Sequence, residues 1–121
     1  MENVVQSKVL ILDDDEITAN LISKLVESLG HSTIIVHNGD EAWKKYLEMK
    51  PNLMISDINH PGIRGLELLK MIRKNDQLTP IIIVSGNSNE CPLAHGANAY
   101  FAKPFDTIKF LGQMEVFLSS N

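Results

Sequence analysis

The stretch KVLILDDDEI, Lys8 to Ile17, decides how the rest of the chain is read. Apolar residues from Val9 to Leu12 run directly into Asp13, Asp14 and Asp15. A near-continuous apolar run of this kind suits a strand covered on both faces. Adjacent carboxylates at its end are costly, since two unit charges about 5 Å apart repel by roughly 3 kcal/mol at an effective dielectric near 20. Either some of these acids turn to solvent and one opens a helix, or something positive belongs among them. Asp15 stands where a helix starting near Glu16 needs an N-cap. For Asp13 and Asp14 the rest of the chain has to choose.

At 121 residues the chain suits one domain, 1–121, with a single core. Hydrophobic residues make up 44% and charged residues 21%, which is a globular composition and not a disordered one. The net charge of −4, without any Lys/Arg run, argues against a nucleic-acid-binding surface. No apolar stretch reaches membrane-spanning length, and MENVVQS lacks the layout of a secretory signal. The lone Cys91 cannot form an internal disulfide, which fits a reducing interior, so a cytoplasmic location is expected.

Short apolar runs alternate with amphipathic segments. The runs are Val9–Leu12, Thr33–Val36, Leu53–Ser56, Ile81–Val84 and, more weakly, Ala99–Ala102. After the first run, Ile17, Leu21, Ile22, Leu25, Val26 and Leu29 recur at helical spacing, with Gly30 placed to cap the C-terminus. Helices are also expected over Asp40–Lys50, stopped by Pro51, over Gly65–Lys74, and over Phe105–Leu118. In the last, Ile108, Leu111, Met114, Phe117 and Leu118 share one side. The alternation implies a parallel sheet with right-handed crossovers and helices on both faces. Between the fourth and fifth runs, GNSNECPLAHGAN is short and contains Pro92; it is expected to hold one or two helical turns at most, and otherwise loop.

In such sheets, ligands bind beyond the carboxyl ends of the strands. Asp13, Asp14, Asp57, Ser85 and Lys103 all follow or end strands, so all should converge on one edge. A cluster of carboxylates there needs neutralising, and a hard divalent cation with oxygen ligands does this naturally. Asp57 is then available as a nucleophile able to form an aspartyl phosphate. Lys103 supplies a compact positive charge suited to phosphate. Ser85 offers a hydroxyl donor, and Gly86 leaves room for backbone approach. Lys103-Pro104 marks a fixed turn, with either a cis or a trans bond.

VLILDDDE, LMISDINHPGIRGLELL, PIIIVSG and GANAYFAKPF, in this order, resemble the receiver domain of two-component response regulators over roughly Ser7 to Leu118. The resemblance implies a flavodoxin-like five-stranded sheet in the order 2-1-3-4-5. It implies Asp57 as phospho-acceptor and Mg2+ (or Mn2+) bound by Asp14 directly, by Asp13 mostly through water, by Asp57 and by the Asn59 backbone carbonyl. Lys103 would pair with Asp57 or its phosphate, and Ser85 with Tyr100 would form a switch pair. The implied phosphodonor is a histidine kinase or a histidine phosphotransfer protein. The implied output is a downstream protein effector, or a fused output domain if the chain is a fragment of something longer.

The chain also departs from the family pattern. Ser85 stands where threonine is commonest, Arg64 at a usually acidic position, and His60 at a usually apolar one. The Ser85–Gly96 segment is about one helical turn short, so a short or degenerate fourth helix is expected and the route of output is open. Two other readings stand beside this one. DDDEI also fits the start of a haloacid-dehalogenase-type phosphatase, with Asp13 as nucleophile, although no late acidic pair follows Val84. A phosphorylation-independent binding module with the same fold is the other. Trp43 is expected to be a half-buried packing residue, and His31, His37 and His95 lack the spacing of zinc ligands.

Overall fold

In the computed structural model, which describes residues 7–58, 64–86 and 96–119, strands and helices alternate along the chain. The strands are β1 (Lys8–Leu12), β2 (Ser32–Val36), β3 (Leu53–Ser56), β4 (Ile81–Ser85) and β5 (Ala99–Ala102). The helices among the described residues are α1 (Glu16–Glu27), α2 (Gly39–Met49), α3 (Gly65–Arg73) and α4 (Thr107–Ser119). The strands form one parallel sheet in the order β2-β1-β3-β4-β5, as the resemblance implies. The expected short fourth helix, together with Cys91, Pro92 and His95, lies outside the described residues.

Alternation along each strand sends side chains to opposite faces, and both faces are covered. Leu10, Leu12, Met54, Ile81 and Ile83 pack with Ala42 of α2 and Leu66, Leu68, Leu69 and Ile72 of α3. On the other face, Val9, Ile11, Leu53, Ile55, Ile82 and Val84 meet Ala19, Ile22 and Val26 of α1 and Phe110 and Met114 of α4. Each fully buried aliphatic side chain contributes roughly 1.5–3 kcal/mol. This two-sided core holds the strand ends rigidly enough to present a site.

The ends of the helices follow local chemistry. Asp15 caps α1 as expected: its carboxylate accepts from Ile17 N at 3.2 Å and from the Thr18 hydroxyl at 2.6 Å. The Thr18 bond contributes most to holding its pKa below the usual carboxylate value. Asn38 caps α2 by accepting from Glu41 N at 2.9 Å. Lys50 ends that helix at φ 46°, in the left-handed region, just before Pro51.

Several expectations about helix faces are corrected. Ile17 is 81% exposed and Ile108 80% exposed, and Leu21 also faces solvent. Ile22 and Val26 on α1 and Met114 on α4 turn inward as expected, and they are joined by Ala19 and Ser23 on α1 and Phe110 on α4. β2 is an edge strand, so Ile34 is exposed and the run is not covered on both faces. α1 ends at Glu27 with Ser28 as its cap, and Gly30, at φ +93°, closes the turn that follows.

Candidate functional site

The carboxyl ends of β1, β3, β4 and β5 meet at one edge of the sheet, and the expected polar residues meet there. Asp13 follows β1, with its backbone N–H donating to Val36 O at 3.2 Å. Asp57 follows β3, with its N–H donating to Leu12 O at 2.9 Å. These backbone bonds continue the parallel ladders one residue past the strands and bring the two acids side by side. Asp13 is 1% exposed and Asp57 7%. Asp14 is exposed, yet one of its carboxylate oxygens lies within 4.8 Å of those of Asp13 and Asp57.

Lys103 supplies the positive partner that the opening acids require. Its Nζ donates to Asp13 Oδ2 at 2.8 Å and to Asp57 Oδ2 at 3.0 Å. Its backbone N–H donates to Ser85 O at 2.9 Å, which joins the turn after β5 to the end of β4. The Lys103–Pro104 peptide bond is cis. Ser85 is fully buried at the end of β4. Tyr100 sits opposite Ile83 in the β4–β5 register and is partly buried against the core that α2 and α3 cover. Arg64 is exposed and precedes α3, with no side-chain cap bond. Asn59 and His60 lie outside the described residues.

The electrostatics follow from burial in competition with pairing. Burial pushes the Asp13 carboxyl above its usual range, and this outweighs the bonds from Lys103 and from Asp15 N at 3.0 Å. Burial alone would pull Lys103 down, but its bonds to Asp13 and Asp57 more than compensate, so its pKa is raised. One ammonium among three acids leaves a net negative, oxygen-only donor set. That set fits a hard divalent cation, and it is the wrong chemistry for a soft one.

Two contributors to the site escaped the sequence reading. A Cβ on Gly65 would stand 2.6 Å from Ile58 Cα and 2.7 Å from Asp57 O, so only glycine lets α3 start this close behind Asp57. Gly65 N–H also donates to Ile58 O at 3.1 Å. The available signal was a glycine at a helix start shortly after an acid. The second is His37, whose Nδ1 lies 3.1 Å from Asp13 O and whose backbone N–H donates to Glu41 Oε1 at 3.2 Å. Nothing in the spacing of the histidines pointed to it.

The response regulator receiver domain family matches residues 9–115. The chain belongs to that family. Receiver domains are signalling phospho-acceptors of two-component systems and not classical enzymes, and this takes the reading away from a dehalogenase-type phosphatase. The receiver domain is 32% identical to the polar-differentiation response regulator DivK of Brucella anthropi over 116 residues, covering 91% of this chain and 94% of that one. It is 33% identical to the transcriptional regulatory protein YkoG of Bacillus subtilis over 117 residues, 93% of this chain and 51% of that protein. The chain thus spans about half the length of several relatives it matches, with 57% and 44% in two further cases. Among solved structures, the receiver domain of the Francisella response regulator 1452 superposes with a TM-score of 0.86 at 30% identity, covering 94% of this chain and 98% of that one. The receiver domain of the sensor histidine kinase PA1611 from Pseudomonas aeruginosa, 22% identical and alike in fold with a TM-score of 0.85, covers 96% of this chain and all of that one. Its structure holds a magnesium ion in the active-site cleft. Among the described residues of the present receiver domain, no helix is long and apolar enough to cross a membrane.

Proposed function

We propose that Asp57 of this receiver domain accepts a phosphoryl group from a histidine kinase or a histidine phosphotransfer protein. The observation that carries this reading is the Lys103 ammonium, bonded at 2.8 and 3.0 Å between Asp13 and Asp57 with a third acid alongside. A carboxylate oxygen of Asp57 forms the new bond to phosphorus while the bond from phosphorus to the donor's imidazole nitrogen breaks. The imidazole leaves with that electron pair. Lys103 then turns its charge from the Asp57 carboxylate to the phosphoryl oxygens, and the Ser85 hydroxyl donates to one of them. Tyr100 moves further inward as Ser85 is drawn to the phosphoryl group. Asp13, Asp14, Asp57 and the Asn59 carbonyl would hold Mg2+ or Mn2+, whose charge offsets that of the transferring group. Hydrolysis reverses the modification without another catalyst: water bonds to phosphorus, the bond to Asp57 breaks, and the carboxylate and inorganic phosphate are left.

Exposed apolar groups beside the acids support a protein phosphodonor. Ile17 lies in the first turn of α1 and Ile108 in that of α4, the turns nearest the carboxyl ends of β1 and β5. Such groups at the rim of a charged site suit docking of a helical partner. The domain 1–121 passes its state to a protein effector or to a fused output domain, and its net charge of −4 supports no direct nucleic-acid contact. The lone cysteine supports work in the cytoplasm.

The test is intact mass after incubation with a small acyl phosphate and Mg2+, on wild type, Asp57→Asn and Asp13→Asn, with borohydride trapping and peptide mapping. The expected result is a magnesium-dependent adduct mapping to Asp57. A label on Asp13 would overturn the assignment of acceptor. No adduct despite demonstrated Mg2+ binding would replace it with a phosphorylation-independent binding module.

A further inference from the structure

The acids occupy the carboxyl ends of the strands. At the opposite end of the sheet, a cleft of about 540 Å³ opens between α2 and α3, within the range of small-molecule sites. One wall is aromatic: Trp43 and Tyr46 both line the cleft, their rings stacked on one another with centroids 5.8 Å apart and planes 16° from parallel. Leu47 and Leu78, the latter 90% exposed, leave large apolar surfaces in water at its lip. The charged groups of the cleft are unequally occupied. Asp76 Oδ1 accepts from Leu78 N at 2.9 Å and from Thr79 N at 3.0 Å. Its Oδ2 accepts from the Tyr46 and Thr79 hydroxyls, each at 2.5 Å. Four donors therefore saturate this carboxylate, and its charge is directed into the protein. Lys50 and Asn75 also line the cleft, and neither side chain has a hydrogen-bond or ion-pair partner among the described residues.

We infer that this cleft is a binding site for a small aromatic carboxylate, its ring laid against Trp43 and Tyr46 and its anionic group taken by Lys50 and Asn75. The aromatic wall selects the ring, and the two uncommitted donors select the acceptor. The site is also tied to the part of the fold that carries Tyr100 and Lys103. Arg73 donates through Nη1 to Asp76 O at 2.9 Å, through Nε to Gly96 O at 3.0 Å and through Nη2 to Asn98 Oδ1 at 3.0 Å. Asn98 Oδ1 also accepts from Ile81 N at 2.8 Å. A ligand against Tyr46 and Asp76 thus presses on a chain of bonds that ends where the backbone enters β5.

The test uses naphthylacetate and its neutral counterpart naphthylmethanol, followed by the indole Nε1–H resonance of Trp43, the one tryptophan of the chain. Naphthylacetate is expected to shift that resonance saturably with a Kd on the order of 1 mM or tighter. The alcohol should bind about tenfold more weakly. Lys50→Gln and Asn75→Ala, both at exposed positions, should lower affinity for the acid toward that of the alcohol and leave the alcohol unchanged. The Gly96 and Asn98 amides should move along the same binding curve. Shifts that never saturate would overturn the inference. So would equal affinities for acid and alcohol, indifference to both substitutions, or a Trp43 response confined to peptide or protein partners.

Discussion

Replacing Lys103 with methionine removes the cation and keeps most of the volume. The ammonium makes two contacts, at 2.8 Å to Asp13 and 3.0 Å to Asp57. At an effective dielectric near 20, each contact has a gross attraction of about 6 kcal/mol, before the desolvation that offsets most of it. The net cost of breaking a buried pair from one side is about 3–5 kcal/mol, because the remaining charge stays buried. Here two acids remain, both buried and facing each other, so metal-free Lys103→Met should lose about 3 kcal/mol or more at pH 7. With a urea slope of about 2 kcal/mol/M, the unfolding midpoint falls by roughly 1.5 M. The pH dependence has a definite sign. Asp13 already has a raised folded-state pKa, so in the variant protonation of its carboxyl relieves the repulsion. The deficit should therefore shrink as pH falls from 7 toward 4. Millimolar Mg2+ should also recover part of it, by linkage to the folded state. A loss below about 1 kcal/mol at pH 7, or a larger loss that is flat between pH 7 and 4, would refute the account of Lys103 as the internal counter-ion of both acids.

Gly65→Ala should cost about 1–3 kcal/mol through overpacking against Ile58 and Asp57 and should slow phosphorylation by a small acyl phosphate; a variant with unchanged unfolding and unchanged labelling would show that the close approach is unimportant. Burial and the bond to Asp76 push the Tyr46 hydroxyl up to about 12. Its stabilising contribution is therefore complete below pH 10 and lost as pH rises toward 12, so wild type and Tyr46→Phe should converge in stability across that window, as read by urea titrations at each pH. The hydrogen bonds that hold Asp76 below the usual carboxylate range have the opposite sign, and the advantage of wild type over Asp76→Asn should fade as pH drops below the ordinary carboxylate value. Ile17→Ala, at an 81% exposed position, should change stability by no more than about 0.5 kcal/mol. It should slow transfer from a histidine phosphodonor protein about tenfold without affecting labelling by a small acyl phosphate. Equal slowing of both reactions would point to damage at the site itself.

The alternation of strands and helices, the parallel sheet and the placement of Asp13, Asp57, Ser85 and Lys103 at strand ends were all determined by the sequence. Apolar runs and their periods are local properties, and the convergence of strand ends follows from the handedness of crossover connections. Tertiary structure decided what local patterns leave open. A helical period marks an apolar stripe but does not set its phase against the sheet. Ile17, Leu21 and Ile108 therefore fit the stripe yet face solvent, while Ala19, Ser23 and Phe110 turn inward. The Lys103–Asp13 bond spans 90 positions of the chain, a distance over which no periodicity carries information. The close approach of Gly65 to Asp57 and the cleft between α2 and α3 were also left to the tertiary structure. These depend on how closely two packed elements approach, which side-chain volumes on both of them set together.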